Sequence, residues 1–289
     1  MTTKTTVLVT GATGKQGGAV ARRLLAHGHT VRAFTRKADS PAAKALADAG
    51  AEIVTGSLDD RASVDRALAG ANAVFAMSTP FEAGIDAEVA QGVLVADAAK
   101  AAGAYLVYTS VGSADQATGI PHFDSKYKVE QHIRSIGAKA AIIAPVYFME
   151  NAYFTREQLK GGIFATPLSA DRKLAQVAVD DIAAYAVAAL ESPDTFAGTR
   201  HDLVGDEVSG ADAVGILTRI TGKPFSYFQV PMEMIRQRMG EDGALMYEWF
   251  ERTGYSIDRA ALAKAFPGVE PTSFEAWVKK QDWASVFAG

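Results

Sequence analysis

The stretch Gly11-Ala12-Thr13-Gly14-Lys15-Gln16-Gly17 constrains this chain more than any other part of it. It follows a short β-branched run, Thr6-Val7-Leu8-Val9-Thr10, that reads as a buried strand. It opens a pattern in which Gly17, Val20, Ala21, Leu24 and Leu25 fall on one helical face. Three glycines at that junction let the chain reverse and admit a close approach that a β-carbon would block. The helix starting there offers unpaired N–H groups and a positive dipole end, surroundings that suit a diphosphate. A glycine triplet alone says little, but one set between a strand and an amphipathic helix points to dinucleotide binding.

The alternation continues downstream. Gly28 ends the first helix, residues 31–35 read as the next strand, Ser40-Pro41 caps the next helix and Gly50 stops it. Residues 52–55, 73–77, 105–109 and 140–145 also read as strands, with helical segments between them. Strands separated by helices of this length imply parallel pairing, and so an α/β, Rossmann-type doubly wound parallel sheet. After about residue 150 the rhythm breaks, and residues 151–172 carry Gly161-Gly162 and Pro167 with no clean period. Residues 177–190 read as a strand end running into a helix that returns to the sheet. From Gly210 onward the pattern is helical and rich in aromatics, including Tyr227, Phe228, Tyr247, Trp249, Phe250, Trp277 and Trp283. The expected organisation is a dinucleotide-binding domain over residues 1–155 that regains the sheet at about 175–206. A smaller, mainly helical region from residues 156–174 and 207–289 would lie over the carboxyl ends of the strands, where open sheets bind ligands.

Composition narrows the function. Of 289 residues, 48% are hydrophobic and 21% charged, an ordinary globular balance. A formal net charge of −4 argues against direct, broad binding to nucleic acid. With no cysteine, disulfides, thiolate metal sites and thiol redox sensing are excluded. His27, His29, His132 and His201 have no metal-ligand spacing, so no metal is expected. The alanine-rich run 87–104 is interrupted by Glu88, Gln91, Asp97 and Lys100 and does not read as a membrane span. Met1-Thr2-Thr3-Lys4 shows no signal-peptide pattern, and a cytoplasmic location is the expectation.

The end of the second strand indicates which dinucleotide. An NAD site places an acidic residue about 20 residues past the glycines, on the ribose 2′-hydroxyl. Here the chain reads Phe34-Thr35-Arg36-Lys37, and the two cations suit a 2′-phosphate, with Arg36 able to hold it by two hydrogen bonds. NADP(H) is the expected cofactor.

With the glycine turn, Arg36, Gly56-Ser57-Leu58-Asp59-Asp60, Ser78-Thr79-Pro80 and Pro145-Val146-Tyr147-Phe148-Met149-Glu150-Asn151 in view, the chain resembles the NmrA-like family. Its members are atypical short-chain dehydrogenase/reductase proteins, related to isoflavone reductases. The resemblance runs over nearly the whole length and implies roles for matching positions. Gly11, Thr13, Gly14, Lys15, Gln16 and Gly17 would hold the diphosphate, and Arg36 with Lys37 the 2′-phosphate. Ser57 and Leu58 would lie against the adenine, although the family has an aspartate where Ser57 stands. Ser78, Thr79 and Pro80 would pass along the cofactor, and Pro145, Tyr147 and Phe148 would border the nicotinamide.

Typical members of the wider superfamily use a Tyr-x-x-x-Lys pair on one helix face, the lysine holding the ribose and the tyrosine donating a proton. The matching pentad here is His122-Phe123-Asp124-Ser125-Lys126. Lys126 keeps the ribose role, while His122 stands in the tyrosine's place and either relays a proton, as imidazoles do near neutral pH, or caps the helix and lines the pocket. Tyr127 would point about 100° away around the helix and is a poor substitute. Ser110 occupies the position of the superfamily's carbonyl-orienting serine and would either orient a substrate oxygen or cap the strand end. Tyr147, Phe148 and Asn151 would flank a flat, conjugated substrate. Two readings follow: an NADPH-dependent reductase of quinones, enones or other activated carbonyls, and a non-catalytic NADP(H) sensor acting through a protein partner or a second copy of the chain.

Overall fold

The computed structural model describes residues 4–288, so the N-terminal stretch read above for a targeting signal lies mostly outside the described residues. The strands are β1 (Thr6–Val9), β2 (Thr30–Thr35), β3 (Glu52–Thr55), β4 (Ala73–Ala76), β5 (Tyr105–Thr109), β6 (Ala140–Pro145), β7 (Tyr147–Phe148), β8 (Ile163–Thr166), β9 (Leu174–Val177), β10 (Arg200–Leu203), β11 (Asp206–Val208) and β12 (Ser226–Gln229). The first six helices are α1 (Lys15–Ala26), α2 (Pro41–Asp48), α3 (Arg61–Leu68), α4 (Pro80–Ala83), α5 (Ile85–Ala101) and α6 (Pro121–Ser135). They are followed by α7 (Arg156–Lys160), α8 (Val179–Glu191), α9 (Pro193–Phe196) and α10 (Gly210–Thr221). The C-terminal ones are α11 (Met232–Arg252), α12 (Arg259–Ala265), α13 (Phe274–Lys280) and α14 (Trp283–Ala288).

Seven strands form one sheet in the order β10-β6-β5-β4-β1-β2-β3, parallel throughout. Alternation along each strand explains the two layers of helix. Val7, Val9, Phe75 and Val107 face α1 and α8 through Val20, Leu24, Ile182 and Ala186. Leu8, Val74, Leu106 and Tyr108 face α3, α5 and α6 through Val64, Ala96 and Val129. The local signals act as read: the Ser40 side chain accepts from Ala43 N–H at the start of α2, and Gly28 and Gly50 take φ of +84° and +99° just past their helices.

The order of strands reverses beside β1: the chain proceeds outward through β2 and β3 and then returns to place β4 on the other side. That reversal leaves a crevice above the carboxyl ends of β1 and β4, the position at which open α/β sheets take ligands. Thr10 joins its two walls, its hydroxyl donating to the Met77 carbonyl at 3.2 Å and accepting from Met77 N–H at 2.9 Å.

The second half departs from expectation in detail. Within the stretch expected to regain the sheet, only Arg200–Leu203 does so, pairing parallel with β6. Leu174–Val177 instead joins a separate three-stranded sheet with β7 and β11. Nor is the chain wholly helical past Gly210, because β12 pairs parallel with β8. Short strands of this kind, paired with distant partners, leave no periodic trace. Two further apolar clusters bind this region: one built on Leu159, Phe164, Leu217, Phe274 and Trp277, the other on Ile120, Phe123, Tyr247, Trp249 and Phe250. The second cluster seats α11 against the start of α6, beside the carboxyl edge of the sheet.

Candidate functional site

The glycine turn has the geometry its sequence requires. Gly11 sits at φ +60°, and a β-carbon on it would come within 2.3 Å of the Met77 sulfur. A β-carbon on Gly17 would come within 2.3 Å of the Gly11 carbonyl oxygen, so α1 meets the turn at a distance only glycine allows. The start of α1 has neither a capping side chain nor an acidic residue in its first turn, whereas Ser40 and Asp60 cap α2 and α3. A bare helix start behind a glycine turn at the sheet's reversal point fits a diphosphate. Thr13, Gly14 and Lys15 are exposed there, with the Lys15 ammonium 5.0 Å from the centre of the outward-facing Phe154 ring. Gln16 instead accepts from the Thr109 hydroxyl at 2.9 Å, tying α1 to the end of β5.

Arg36 and Lys37 stand exposed past β2, and the Arg36 guanidinium pairs at 2.6 Å with Glu82 on α4. Ser57 donates to Asp59 at 3.1 Å, so a carboxylate does stand near the adenine-side position, two residues further on. Leu58 packs, half-buried, on the α3–α5 face. Thr79 caps α4 through Phe81 N–H, and Pro80 begins that helix.

Lys126 and its surroundings form a buried polar knot. Its ammonium lies 2.8 Å from Glu88, whose side chain is wholly buried on α5, and donates to the Ser78 carbonyl at 3.0 Å. Burial works against that charge, but Tyr108 and Glu88 outweigh it and hold the lysine pKa above its ordinary value. Removing one partner of such a buried pair strands the other and costs about 3–5 kcal/mol. His122, one turn earlier on the same face, pairs through Nδ1 with Asp242 at 2.7 Å, and its backbone N–H donates to the same carboxylate at 3.1 Å. Burial opposes the Asp242 charge, yet these hydrogen bonds from His122 leave its pKa below the usual aspartate value. Asp242 reaches α6 because α11 kinks at Gly240, which takes φ +73°. Phe81 stands beside the imidazole, tilted 49° to it with 6.2 Å between ring centres.

Ser110 is buried, and its hydroxyl donates to Glu130 at 2.5 Å. Glu130 also receives Arg200 and Arg134, so Ser110 belongs to a charge network beneath the strand ends. On the far wall, past Pro145, Tyr147 shares a hydrogen bond of 2.9 Å with Tyr247 of α11. Burial raises the pKa of Tyr147, partly offset by its bonds to Tyr247 and Asn151. Phe148 turns into the core beneath the sheet's α1–α8 face. Next to it, Glu150 accepts from Val179 N–H at 3.1 Å and from the Trp277 indole at 3.0 Å, binding α8 and α13 to this wall.

A model of the NmrA-like family matches residues 3–278. The chain belongs to that family. A Streptomyces griseus protein named (4-alkanoyl-5-oxo-2,5-dihydrofuran-3-yl)methyl phosphate reductase is 29% identical over 98% of both chains. The fold matches that of NmrA, a negative transcriptional regulator, with a TM-score of 0.81 at 20% identity, covering 99% of this chain and 98% of that one. It also matches an Escherichia coli NADPH-dependent quinone oxidoreductase complexed with NADPH, with a TM-score of 0.80 at 24% identity, covering 94% and 98%.

Glu88, Asp242 and Tyr247 escaped the sequence reading as site residues, Tyr247 standing there only among the aromatics of the C-terminal region. Glu88 had a signal: with Gly92, Val95, Ala96 and Ala99 it falls on the buried stripe of α5, an acid where an apolar residue belongs. Asp242 had none, since it meets His122 across 120 positions. No helix among the described residues is long and apolar enough to cross a membrane.

Proposed function

We propose that this member of the NmrA-like family is an NADP(H)-dependent reductase that delivers hydride to a quinone, an enone or another activated planar carbonyl. The observation that carries this reading is the carboxylate-held imidazole of His122 one helical turn from the buried ammonium of Lys126. Binding a dinucleotide requires no oriented proton donor. NADPH, when bound, supplies the hydride. The glycine turn and the start of α1 hold the diphosphate, Arg36 and Lys37 take the 2′-phosphate, and Ser57 and Leu58 border the adenine. Ser78, Thr79 and Pro80 on one side and Pro145 and Tyr147 on the other guide the nicotinamide end, with Lys126 on its ribose, while Phe148, packed against the α1–α8 core, backs that wall.

Asp242 accepts the Nδ1–H of His122, which leaves Nε2 as the nitrogen that exchanges a proton with the substrate oxygen. The Tyr147–Tyr247 pair and Asn151 wall a flat substrate. Because Ser110 gives its hydroxyl to Glu130, we assign orientation of the substrate oxygen to His122 rather than to Ser110. The named substrate of the Streptomyces relative, an alkanoyl- and oxo-substituted dihydrofuran, belongs to the same broad class of activated carbonyl compound. A quinone asks least of the donor, since it can take its proton from water.

The second reading is a sensor that binds NADP(H) and alters its association with a protein partner, and the histidine in the superfamily's tyrosine position favours it. The deciding experiment follows NADPH oxidation optically with a panel of quinones and enones, for wild type and Lys126→Ala. Turnover that NADH does not support and that falls with Lys126→Ala establishes the reductase. Tight NADPH binding with no turnover on any acceptor sinks it in favour of the sensor.

A further inference from the structure

Glu88 has no part in the scheme above, yet it is a fully buried acid in direct contact with Lys126. It lies in the first turn of α5 and is closed off from solvent. Its two oxygens have separate partners: Oε1 lies 2.8 Å from the Lys126 ammonium, and Oε2 accepts from the Ser125 hydroxyl. Close helix packing makes this contact. A β-carbon at Gly92, one turn after Glu88, would come within 2.7 Å of Val129 on α6 and 3.3 Å of the Ser78 hydroxyl oxygen. Glycine there draws α5, α6 and the end of β4 together around the ammonium.

A lysine ammonium has three N–H groups. One is donated to the Ser78 carbonyl, Glu88 faces the ammonium as an ion pair at 2.8 Å, and among the described residues the ammonium has no other hydrogen-bond partner. Tyr108 of β5 lies beneath, its ring centre 5.9 Å from Nζ, and Glu130 of α6 adds a more distant negative charge. Glu88 is thus the only carboxylate in direct contact with the ammonium among the described residues. A buried lysine deprived of its counter-charge gives up its proton far more readily than one in water.

We propose that Glu88 is a positioning residue for Lys126: it anchors the ammonium beside the end of β4 and supplies its counter-charge, leaving one N–H for the ribose of the dinucleotide. The inference rests on the reading of Lys126 as the ribose ligand. A purely structural ion pair would move stability only, whereas this role makes the pH dependence of cofactor affinity a property of Glu88.

The test is NADPH affinity by fluorescence from about pH 7 to about pH 9.5 in wild type, Glu88→Gln, Glu88→Asp, Lys126→Met and the Glu88→Gln/Lys126→Met double variant. Wild type is expected to hold its affinity over the range. Glu88→Gln binds within about threefold of wild type at the acid end and weakens by about tenfold or more toward the alkaline end. Glu88→Asp restores a flat profile, because the charge returns even though the reach is shorter. Lys126→Met is weak and flat, and the double variant matches it, since Glu88 acts only through Lys126. A Glu88→Gln profile parallel to wild type, or a double variant weaker than Lys126→Met, overturns the inference while leaving the ribose reading intact. A Lys126→Met variant that binds like wild type overturns both. Should Glu88→Gln not fold, Glu88→Met carries the same test, and a Glu88→Met profile parallel to wild type decides against the role.

Discussion

The two ends of the proposed cofactor groove are built by different means. At the diphosphate end, the grip is backbone: a turn at φ +60°, a helix start with no capping side chain, and a glycine whose β-carbon would meet a carbonyl oxygen at 2.3 Å. At the nicotinamide end, side chains do the work, and each takes its partner from a distant part of the chain: Lys126 from Glu88, His122 from Asp242, Tyr147 from Tyr247. The comparison teaches that holding a dinucleotide is a local property of about one βαβ unit. The side-chain pairs at the other end draw on elements outside that unit, Glu88 on α5 and Asp242 and Tyr247 on α11.

Substitutions at the two ends should separate accordingly. His122→Phe should lower kcat by about 100-fold or more on carbonyl acceptors, the usual range for losing a positioned proton donor, with NADPH affinity nearly unchanged. Steady-state kinetics beside direct binding reads both, and a KM effect alone would return His122 to a capping role. Gly17→Ala should act the other way, because neither the Gly11 nor the Thr10 carbonyl it meets can give way as a side chain would. A cost of about 3 kcal/mol should appear both in thermal unfolding and as lost NADPH binding. Intact binding would show that the turn relaxes.

Arg36→Ala is expected to weaken NADPH by about tenfold, the low end for an exposed charge-assisted contact, and to leave NADH alone. Equal losses for both nucleotides would place the 2′-phosphate elsewhere.

The smallest effect belongs to a pair far from the groove. His27 and His29 both reach Glu191 of α8, at 2.9 and 3.0 Å, and tie the start of β2 to that helix. Burial opposes the Glu191 charge, but the two histidines outweigh it and depress its pKa. A depressed carboxylate contributes stability that is present above its unfolded value, about 4.3, and is lost as pH falls through the folded one. Glu191→Gln should therefore cost about 1 kcal/mol near neutral pH, and the gap should close in acid with no change in NADPH affinity. A gap that persists in acid would assign the effect to packing.

The glycine turn and the start of α1 were legible because their rules are short-range. Glycine's freedom at Gly11, the apolar face of α1 and the cations at Arg36 and Lys37 all act within a few residues of where they stand. Even Glu88 could have been read from its place on the buried stripe of α5. The seven-stranded parallel sheet followed from the alternation of short apolar runs with helical patterns, since a helix between strands enforces a parallel crossover. Tertiary structure alone decided that β9 pairs with β7 and β11, that Ser110 faces Glu130, and that the kink at Gly240 carries Asp242 to His122. Such contacts, from 20 residues apart for Ser110 and Glu130 to 120 for His122 and Asp242, depend on how whole elements dock, and periodicity records only which face is buried, not what it meets.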